Sequence, residues 1–451
     1  MKDGYFGKTL LCRTSYEGKS ITGKVSFSPE KVDVKLLGFE DFVYFRDGDI
    51  ISLNLEDNQY CTATTFANSP GTHSSGNGSF HHIDCGVRQA IIGFRPWTSE
   101  DRVSEIYFEL SNTNQVLEAP DIRRKIASSK IGEEPENKII EVSYNGITIK
   151  IYYNYSMPLH EDNYKVLEPY GHIIFEQPKP VGEIGQIFAI LRTFLTMSSG
   201  VSAMIDNYMI VPSKNAEQAL LSGGFSPAMF ELIWPSIKIK DGVHENIRPS
   251  NILRCHTEDD RKAMSDCLMF WMANWKKWKP AFYGMQIATE ERRNFDFGRI
   301  INACKWLDST PGAQQENLNY DEKIDSISDA AIRKARELGL DMDNRISGAI
   351  KWLRTESRDQ LFRRLVDQAV QGESDELKQR LIKDIHLAYE IRGHFAHNKF
   401  YHTSDEGFGE YILCTQAVEA LAFLLLYRNL PLPSDHFWGH GHNNFISYLN
   451  Y

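Results

Sequence analysis

The stretch EVSYNGITIKIYY, Glu141 to Tyr153, is the part of the sequence that most clearly indicates the fold. Apolar and polar residues alternate on both sides of Asn145-Gly146, and alternation with period two is typical of a half-buried β-strand. Asparagine and glycine both tolerate the positive φ that a type I′ turn requires. The stretch therefore predicts a β-hairpin.

The chain around this hairpin, up to about residue 180, has the same period and many turn residues. Two stretches without apolar periodicity, Gly71 to Ser79 and Ser128 to Lys138, are interpreted as loops. Residues 1–180 are therefore predicted to form a β-rich N-terminal domain. Its other clear strand predictions are Ser20 to Phe27, Val32 to Leu36, Ile51 to Leu55 and Ile106 to Leu110.

After residue 180 the apolar residues recur at three and four, which indicates helices. Residues 181–310 are interpreted as a helical and irregular bridging region, in which prolines separate a helix after Gly182 from a second one at His256 to Trp278. A polar stretch with a Pro-Gly break, Thr310 to Tyr320, marks a boundary. Residues 311–451 are predicted to be an all-α bundle, so the fold class is α+β with several domains. The helices predicted in this bundle are Asp321 to Leu338, Arg345 to Val370, Asp375 to about Phe395 and Gly409 to Arg428.

Composition limits the classes of function. The 451 residues include 50 basic and 60 acidic ones, a formal net charge of -10, so any site for a polyanion must be local. The seven cysteines are odd in number and never spaced as CxxC, which is typical of reduced thiols in the cytosol. Because no apolar stretch reaches the ~20 uninterrupted residues of a spanning helix and the start lacks a signal-peptide core, we expect a cytoplasmic protein that does not enter a membrane.

Two residue clusters suggest chemistry but have simpler interpretations. His81, His82 and Cys85 match no zinc-ligand spacing, so neither a metal nor another cofactor is predicted. Trp271, Trp275 and Trp278, at i, i+4 and i+7 with lysines between them, could stack nucleic-acid bases, but a packed core is favoured.

The segment AYEIRGHFAHNKFYH, Ala388 to His402, has the strongest chemical potential. In it Arg392 is followed, after four residues, by His397. Arginine can hold a phosphate bidentately and histidine titrates near neutrality, so the pair could support metal-free cleavage of RNA, where the 2′-hydroxyl is the nucleophile. The spacing alone is not specific, because chance accounts for as many such pairs as the chain contains, the other being Arg380 and His386.

The position of Arg392 on its predicted helix says more than the spacing. It falls within an apolar stripe, and a guanidinium in such a seam needs an acid, a phosphate or a wet interface beside it. One reading pairs Arg392 with an acid on a neighbouring helix and leaves His394 and His397 as surface residues. The other makes Arg392 and His397 a site, although five residues of ideal helix separate them by ~140°. The apolar members of the stripe are Leu381, Ile385, Ala388, Tyr389, Phe395 and Ala396.

The stretch IRGHFAHNKF, followed by an apolar final helix at Tyr411 to Tyr427, resembles HEPN domains. A β-rich first half joined to such a domain resembles the ApeA-like abortive-infection proteins of bacterial antiphage defence. The change from strand to helix around LEPYGHIIFEQPKPVGEIGQIFAILRTFLTMSSG, residues 167–200, is similar to the region that precedes the HEPN part in that family.

This resemblance implies a metal-independent endoribonuclease that acts as a homodimer on RNA, with tRNA as one candidate. Arg392 would bind and neutralise the scissile phosphate, and His397 would transfer a proton. His394 and Glu390 would support them. The chain departs from many HEPN nucleases at Gly393, where those proteins have Asn, Asp or His, and His394 is the residue that could take over this polar role.

Lys351, Arg354 and Arg358 recur at i, i+3 and i+7 on the preceding predicted helix. Such a row could follow a phosphate backbone, and an ordinary solvated helix face is the alternative. Together with Asn398 and Lys399 these residues are the RNA contacts that we expect.

Two functions of different class follow from the sequence. The first is a toxin-like ribonuclease that its N-terminal domain controls by sensing a phage-encoded trigger. The second is a non-catalytic dimeric adaptor whose β domain binds a peptide or a glycan. A basic cleft lined by Arg392 and His397 would favour the enzyme, whereas a salt bridge that buries Arg392 within one chain would favour the adaptor.

Overall fold

The fold combines a large antiparallel sheet with a set of helices, which confirms the predicted α+β class. The computed structural model describes residues 5, 7–28, 31–39, 45–75, 78–130, 132–157, 163–213, 229–234, 253–291, 297–318, 321–396, 405–432, 445 and 447–450. The strands are β1 (Thr9–Tyr16), β2 (Lys19–Phe27), β3 (Val32–Phe39), β4 (Ile50–Leu55), β5 (Tyr60–Ser75), β6 (Gly78–Gly93), β7 (Val103–Ser111), β8 (Lys138–Tyr144), β9 (Ile147–Ser156), β10 (Lys165–Lys179), β11 (Met204–Pro212) and β12 (Phe230–Ile233).

The strands form one sheet in the order β3-β2-β1-β4-β5-β6-β12-β11-β7-β10-β9-β8. Because β3 also pairs with β6, the first six strands close into a ring. Residues along β2 and β4 alternate between buried and exposed, as expected when one face of a strand lines a core. Fully buried aliphatic residues such as Val25, Val34 and Leu53 fill the inside of this ring.

The predicted hairpin is confirmed. Strands β8 and β9 are joined by Asn145 and Gly146, whose φ angles are 50° and 73°. On the buried face of the β7–β10 part of the sheet, Phe188 of helix α2 (Val181–Ser199) packs against Phe108, with ring centroids 5.9 Å apart. The sheet and this helix therefore share one apolar layer. Helix α1 (Pro120–Ser128) lies between β7 and β8 in the chain.

The remaining helices occupy the second half of the chain. By packing, the chain divides into two units: Met1–Arg192, Ala203–Arg248 and Leu253–Met269, and Thr193–Ser202, Pro249–Ile252 and Phe270–Tyr451. The predicted division at residues 180 and 310 stays a prediction. The helices are α3 (Glu258–Glu291), α4 (Phe297–Ser309), α5 (Asp321–Glu337), α6 (Asp343–Lys351), α7 (Arg358–Ala369), α8 (Asp375–Ala396) and α9 (Asp405–Tyr427), with short 3-10 helices at Trp352–Arg354 and Ser447–Asn450.

Two of the predicted elements are wrong. The segment Arg345 to Val370 is not one helix, because α6 ends at Lys351 and Ser357 caps a new helix: its side chain accepts a hydrogen bond from the Gln360 backbone N–H. Gly71 to Ser79 is not a loop in its described part, since it belongs to the long strands β5 and β6. Both errors come from tertiary or capping contacts that apolar periodicity does not report.

One helical segment of the described chain, Gly409–Tyr427, is long and apolar enough to cross a membrane by length and composition. It is 72% buried inside the protein, where its residues pack against α8 and α4. Such burial is typical of a core helix, so the segment is weak support for a membrane span.

Candidate functional site

Helix α8 carries the predicted stripe and brings Arg392 to the edge of the core. Leu381, Ile385 and Ala388 are fully buried on this helix, as their 3.6-residue periodicity predicts. The side chain of Arg392, one turn beyond Ala388, keeps 32% of its surface exposed. The guanidinium therefore lies at the border between the core and the solvent.

An aspartate on another helix pairs with this guanidinium. Arg392 Nη1 donates a hydrogen bond to Asp308 Oδ2 at 2.6 Å, and Asp308 lies near the end of α4 with 46% of its side chain exposed. The other carboxylate oxygen, Oδ1, accepts a hydrogen bond from the Tyr389 hydroxyl at 2.6 Å. The structure thus contains the neighbouring acid that the structural reading of Arg392 required.

The electrostatics of this cluster keep both donors protonated. Burial, together with the charge of Asp308, raises the pKa of Tyr389 well above its ordinary value, so the phenol stays a hydrogen-bond donor. Burial alone would lower the pKa of Arg392, but the hydrogen bond and the charge of Asp308 outweigh it and raise this pKa. Arg392 is therefore a permanent cation with a defined orientation.

A second ion pair in the same unit contains an arginine with a purely structural role. Arg299 and Glu419 are 4% and 3% exposed, and the guanidinium holds the carboxylate through two nitrogens, Nε at 2.9 Å and Nη2 at 2.8 Å. Asp308, by contrast, is held through one nitrogen of Arg392, and both partners reach solvent. The Arg392 pair is therefore open to a competing anion in a way that the Arg299 pair is not.

The arginines predicted to form a row on one helix do not form one, and this prediction is wrong in its geometry. The break between α6 and α7 places Lys351, Arg354 and Arg358 on three different elements. Arg354 is paired with Asp325, and the side chain of Lys351 lies outside the described part of the structure. Arg358 approaches the cluster, because its guanidinium lies over the Tyr389 ring at 5.3 Å from the centroid.

The supporting residues predicted near Arg392 lie on the exposed side of α8. His394 Nε2 is 3.9 Å from Glu390 Oε1, an i, i+4 pair whose side chains are about one third and two thirds exposed. This pair contacts solvent, so either group is reachable by a ligand. His397, Asn398 and Lys399 lie outside the described residues, and their predicted roles stay predictions.

The other arginine and histidine with a similar spacing are committed to contacts inside the chain. Arg380 Nη2 donates to the Tyr448 backbone oxygen at 3.3 Å, and the guanidinium lies 5.1 Å from the centre of the Tyr448 ring. His386 Nε2 is 3.3 Å from Asp359 Oδ1. Arg380 thus contacts a backbone oxygen and an aromatic ring, whereas Arg392 pairs with the carboxylate of Asp308.

The tryptophan cluster and Cys85 lie in packed cores. Trp271, Trp275 and Trp278 are buried, and the Trp271 ring stacks on Phe282 at 3.6 Å, so they form a packed core as predicted. Cys85 is buried in the core of the first six strands. In the part of the chain that the structure describes, no group of three or more His, Cys, Asp or Glu side chains is arranged to hold a metal ion.

The sequence does not predict the roles that Asp308 and Tyr389 have in this site. Asp308 lies 84 positions before Arg392 in the chain, and no spacing connects the two. Tyr389 falls in the predicted apolar stripe, and its buried side chain confirms this, but its hydroxyl contact depends on how α4 packs against α8.

A comparison with known protein families shows which family the chain belongs to. A family model described as ApeA N-terminal domain 1 matches residues 5–271, which is more than half of the sequence. The chain belongs to the ApeA family. ApeA proteins are antiphage defence proteins, which confirms the resemblance seen in the first half. No curated protein and no solved structure matches this ApeA-family chain.

The match ends at residue 271, so the Arg392 cluster lies outside the part of the chain that defines the ApeA relationship. The HEPN-like character of the helical half is consistent with that relationship and stays a prediction.

Proposed function

We propose that this ApeA-family protein is a metal-independent HEPN endoribonuclease that acts in the cytoplasm during antiphage defence. The observation that carries the proposal is the state of Arg392. It is a cation on an otherwise apolar stripe, it is reachable from solvent, and one hydrogen bond joins it to Asp308. The Arg-x4-His motif and the membership of an antiphage defence family support the same function.

In the proposed reaction the substrate supplies its own nucleophile. The 2′-oxygen of the ribose forms a bond to phosphorus, the bond from phosphorus to the 5′-oxygen breaks, and a 2′,3′-cyclic phosphate and a 5′-hydroxyl result. Arg392 binds the phosphate and neutralises the charge that develops on its oxygens. His397 handles the proton, which leaves the 2′-hydroxyl and is delivered to the departing 5′-oxygen.

The proposed active form is a homodimer. Arg392 and His397 are five residues apart, a rotation of ~140° on an ideal helix, so one continuous helix does not direct both toward one phosphate. A two-fold axis allows the ends of two copies of α8 to contribute complementary groups to one cleft. The N-terminal unit is proposed to control this cleft in response to a phage-encoded trigger.

Cleavage of RNA by the purified protein tests this proposal. We expect cleavage with EDTA present, and we expect Arg392→Ala and His397→Ala each to reduce the rate by at least about a hundredfold. Arg380→Ala is the matched control, since it removes the other arginine of similar spacing, and it should keep most of the activity. In cells, intact tRNA and growth with and without phage would be compared for the same variants.

Activity that survives in both Arg392→Ala and His397→Ala would end the nuclease proposal. The second candidate function is then the non-catalytic dimeric adaptor, with a β domain that binds a peptide or glycan. The ion pair between Arg392 and Asp308 within one chain is the observation that favours it. The adaptor predicts that these variants keep defence intact and alter only stability or association.

A further inference from the structure

The Arg392 and Asp308 pair is accessible to solvent on both sides. The two side chains are 32% and 46% exposed, and one hydrogen bond of 2.6 Å joins them. An exposed ion pair of this kind adds little to stability, because water and salt screen it. The fold therefore loses little when another anion replaces the carboxylate on the guanidinium.

The position of the Asp308 carboxylate is set independently of Arg392. The Tyr389 hydroxyl, which is buried and stays protonated, donates to Oδ1 at 2.6 Å. The carboxylate thus keeps an anchor when Oδ2 loses its bond to Arg392. A phosphate oxygen is an acceptor of the same geometry as a carboxylate oxygen, and guanidinium groups bind both.

A second arginine lies beside this ion pair. The guanidinium groups of Arg358 and Arg392 lie 5.3 Å and 5.5 Å from the centre of the same Tyr389 ring. Arg358 begins helix α7 and is exposed. Arg358 thus places a second cation beside the Arg392 and Asp308 pair, which favours the approach of another anion.

We propose that Asp308 is the resident anion of this site and that an RNA phosphate binds by taking its place on Arg392. Asp308 is then a positioning residue: it orients the guanidinium in the free protein and lowers its affinity for RNA. This inference rests on the proposed function for the identity of the anion, and it adds Asp308 and Tyr389 to the site. An RNA must compete with the carboxylate before it reaches the site.

Binding of an RNA that cannot be cleaved tests the exchange directly. The probe is a fluorescent single-stranded oligonucleotide with 2′-O-methyl riboses, and anisotropy is measured over a range of salt concentrations. We expect Asp308→Asn to bind it about threefold to tenfold more tightly than the wild type, because the competing charge is gone. The slope of log K against log salt should steepen by about 0.7, because Arg392 then neutralises one RNA phosphate and releases its condensed cation without freeing a carboxylate that would attract another.

Asp359→Asn is the matched control, because it removes an equal charge from α7, where Asp359 pairs with Arg363 at 2.7 Å. It should change neither the slope nor the affinity beyond about twofold. In a chain that carries Arg392→Gln, Asp308→Asn should have no effect on binding. Tyr389→Phe, which removes the anchor and keeps the buried ring, should weaken binding, because a carboxylate displaced from Arg392 then keeps no bond to Tyr389.

Three results would overturn the inference: unchanged or weaker binding by Asp308→Asn, a gain that persists with Arg392→Gln, and a slope that does not move. If Asp308→Asn fails to fold, the Tyr389→Phe measurement decides. Cleavage of ordinary RNA separates this inference from the proposed function. If Asp308→Asn binds the probe more tightly but the wild type cleaves no RNA, the anion exchange is supported and the nuclease proposal is contradicted. If the wild type cleaves RNA but Asp308→Asn binds no more tightly, the nuclease proposal stands and the exchange is contradicted.

Discussion

At the scale of single residues, burial and hydrogen bonding decide what a charge does. Asp101 is buried, accepts hydrogen bonds from both terminal nitrogens of Arg95 at 2.8 Å, and accepts two more from the backbone N–H and the hydroxyl of Thr98. Burial alone would raise the pKa of this carboxyl, but these bonds outweigh it and lower the pKa to about 2. Asp101 is thus a structural charge, in contrast to Asp308.

This lowered pKa predicts a specific pH dependence of stability. A carboxyl whose pKa is depressed on folding stabilises the folded state above its unfolded pKa and loses that contribution as the pH falls through the folded value. The contribution of Asp101 is therefore about 2 kcal/mol at pH 7 and is lost between about pH 4 and pH 2. The free energy of urea unfolding should differ between wild type and Asp101→Asn by about that amount at pH 7, and by much less at pH 2.

The control for this prediction is Asp33→Asn. Asp33 forms an exposed ion pair with Lys31 at 2.7 Å, so its removal should change the free energy of unfolding by less than about 1 kcal/mol. Parallel loss of stability by wild type and Asp101→Asn on acidification would contradict the assignment of the charge to Asp101.

The residue scale also shows how far the site could be predicted. Arg392 is identifiable from sequence because it interrupts a stripe that periodicity reveals. Asp308 is not identifiable, because its role depends on how α4 packs against α8, and that packing has no local signal in either helix. Charged partners that are distant in sequence become visible only once the helices are in place.

At the scale of elements, a turn that needs particular residues is easy to predict from the sequence, whereas the ends of strands and helices are harder to predict. The turn at Asn145-Gly146 has a strong signal because two successive residues need positive φ. The outer part of the β5–β6 hairpin lacks such a signal, since the strands there pair through their backbones, Thr72 with His81 for example, without apolar alternation. The break before α7 did have a signal, Ser357 followed three residues later by Gln360, which is a capping box.

The turn makes a quantitative prediction. Gly146 has a φ of 73°, and an alanine there is expected to cost about 1–2 kcal/mol, because Cβ crowds the backbone in the left-handed region. Gly182→Ala is the control: Gly182 lies in the first turn of α2, and an added Cβ meets nothing within 4 Å. That variant should be neutral or stabilising by up to about 1 kcal/mol. Thermal unfolding of both variants measures the difference, and equal midpoints would contradict it.

At the scale of the whole molecule, the burial of the cysteines indicates how tightly the chain is packed. All seven are free and buried. Burial raises the pKa of Cys12 to about 11 and that of Cys304 to about 12, so little thiolate forms at mildly alkaline pH. Because the thiolate is the reactive form, the native protein should be nearly inert to thiol reagents.

Reaction with Ellman's reagent tests this packing. The native chain should release less than one equivalent within minutes, and the chain in concentrated guanidinium chloride should release all seven that the sequence contains. Ser99→Cys places a thiol at an exposed position and should add one rapid equivalent to the native value. Prompt reaction of several native thiols would contradict the burial of these cysteines.

The end of the ApeA match has a consequence for how such chains can be recombined. Residue 271 is Trp271, in the middle of α3, stacked on Phe282 and bonded through its indole N–H to the Thr193 hydroxyl at 3.0 Å. A chimaera joined at that point would change its parent sequence in the middle of a helix, and it would replace residues that contact Trp271. A chimaera that exchanges the N-terminal part between relatives should therefore keep α3 intact to Glu291, some twenty residues beyond the end of the family match.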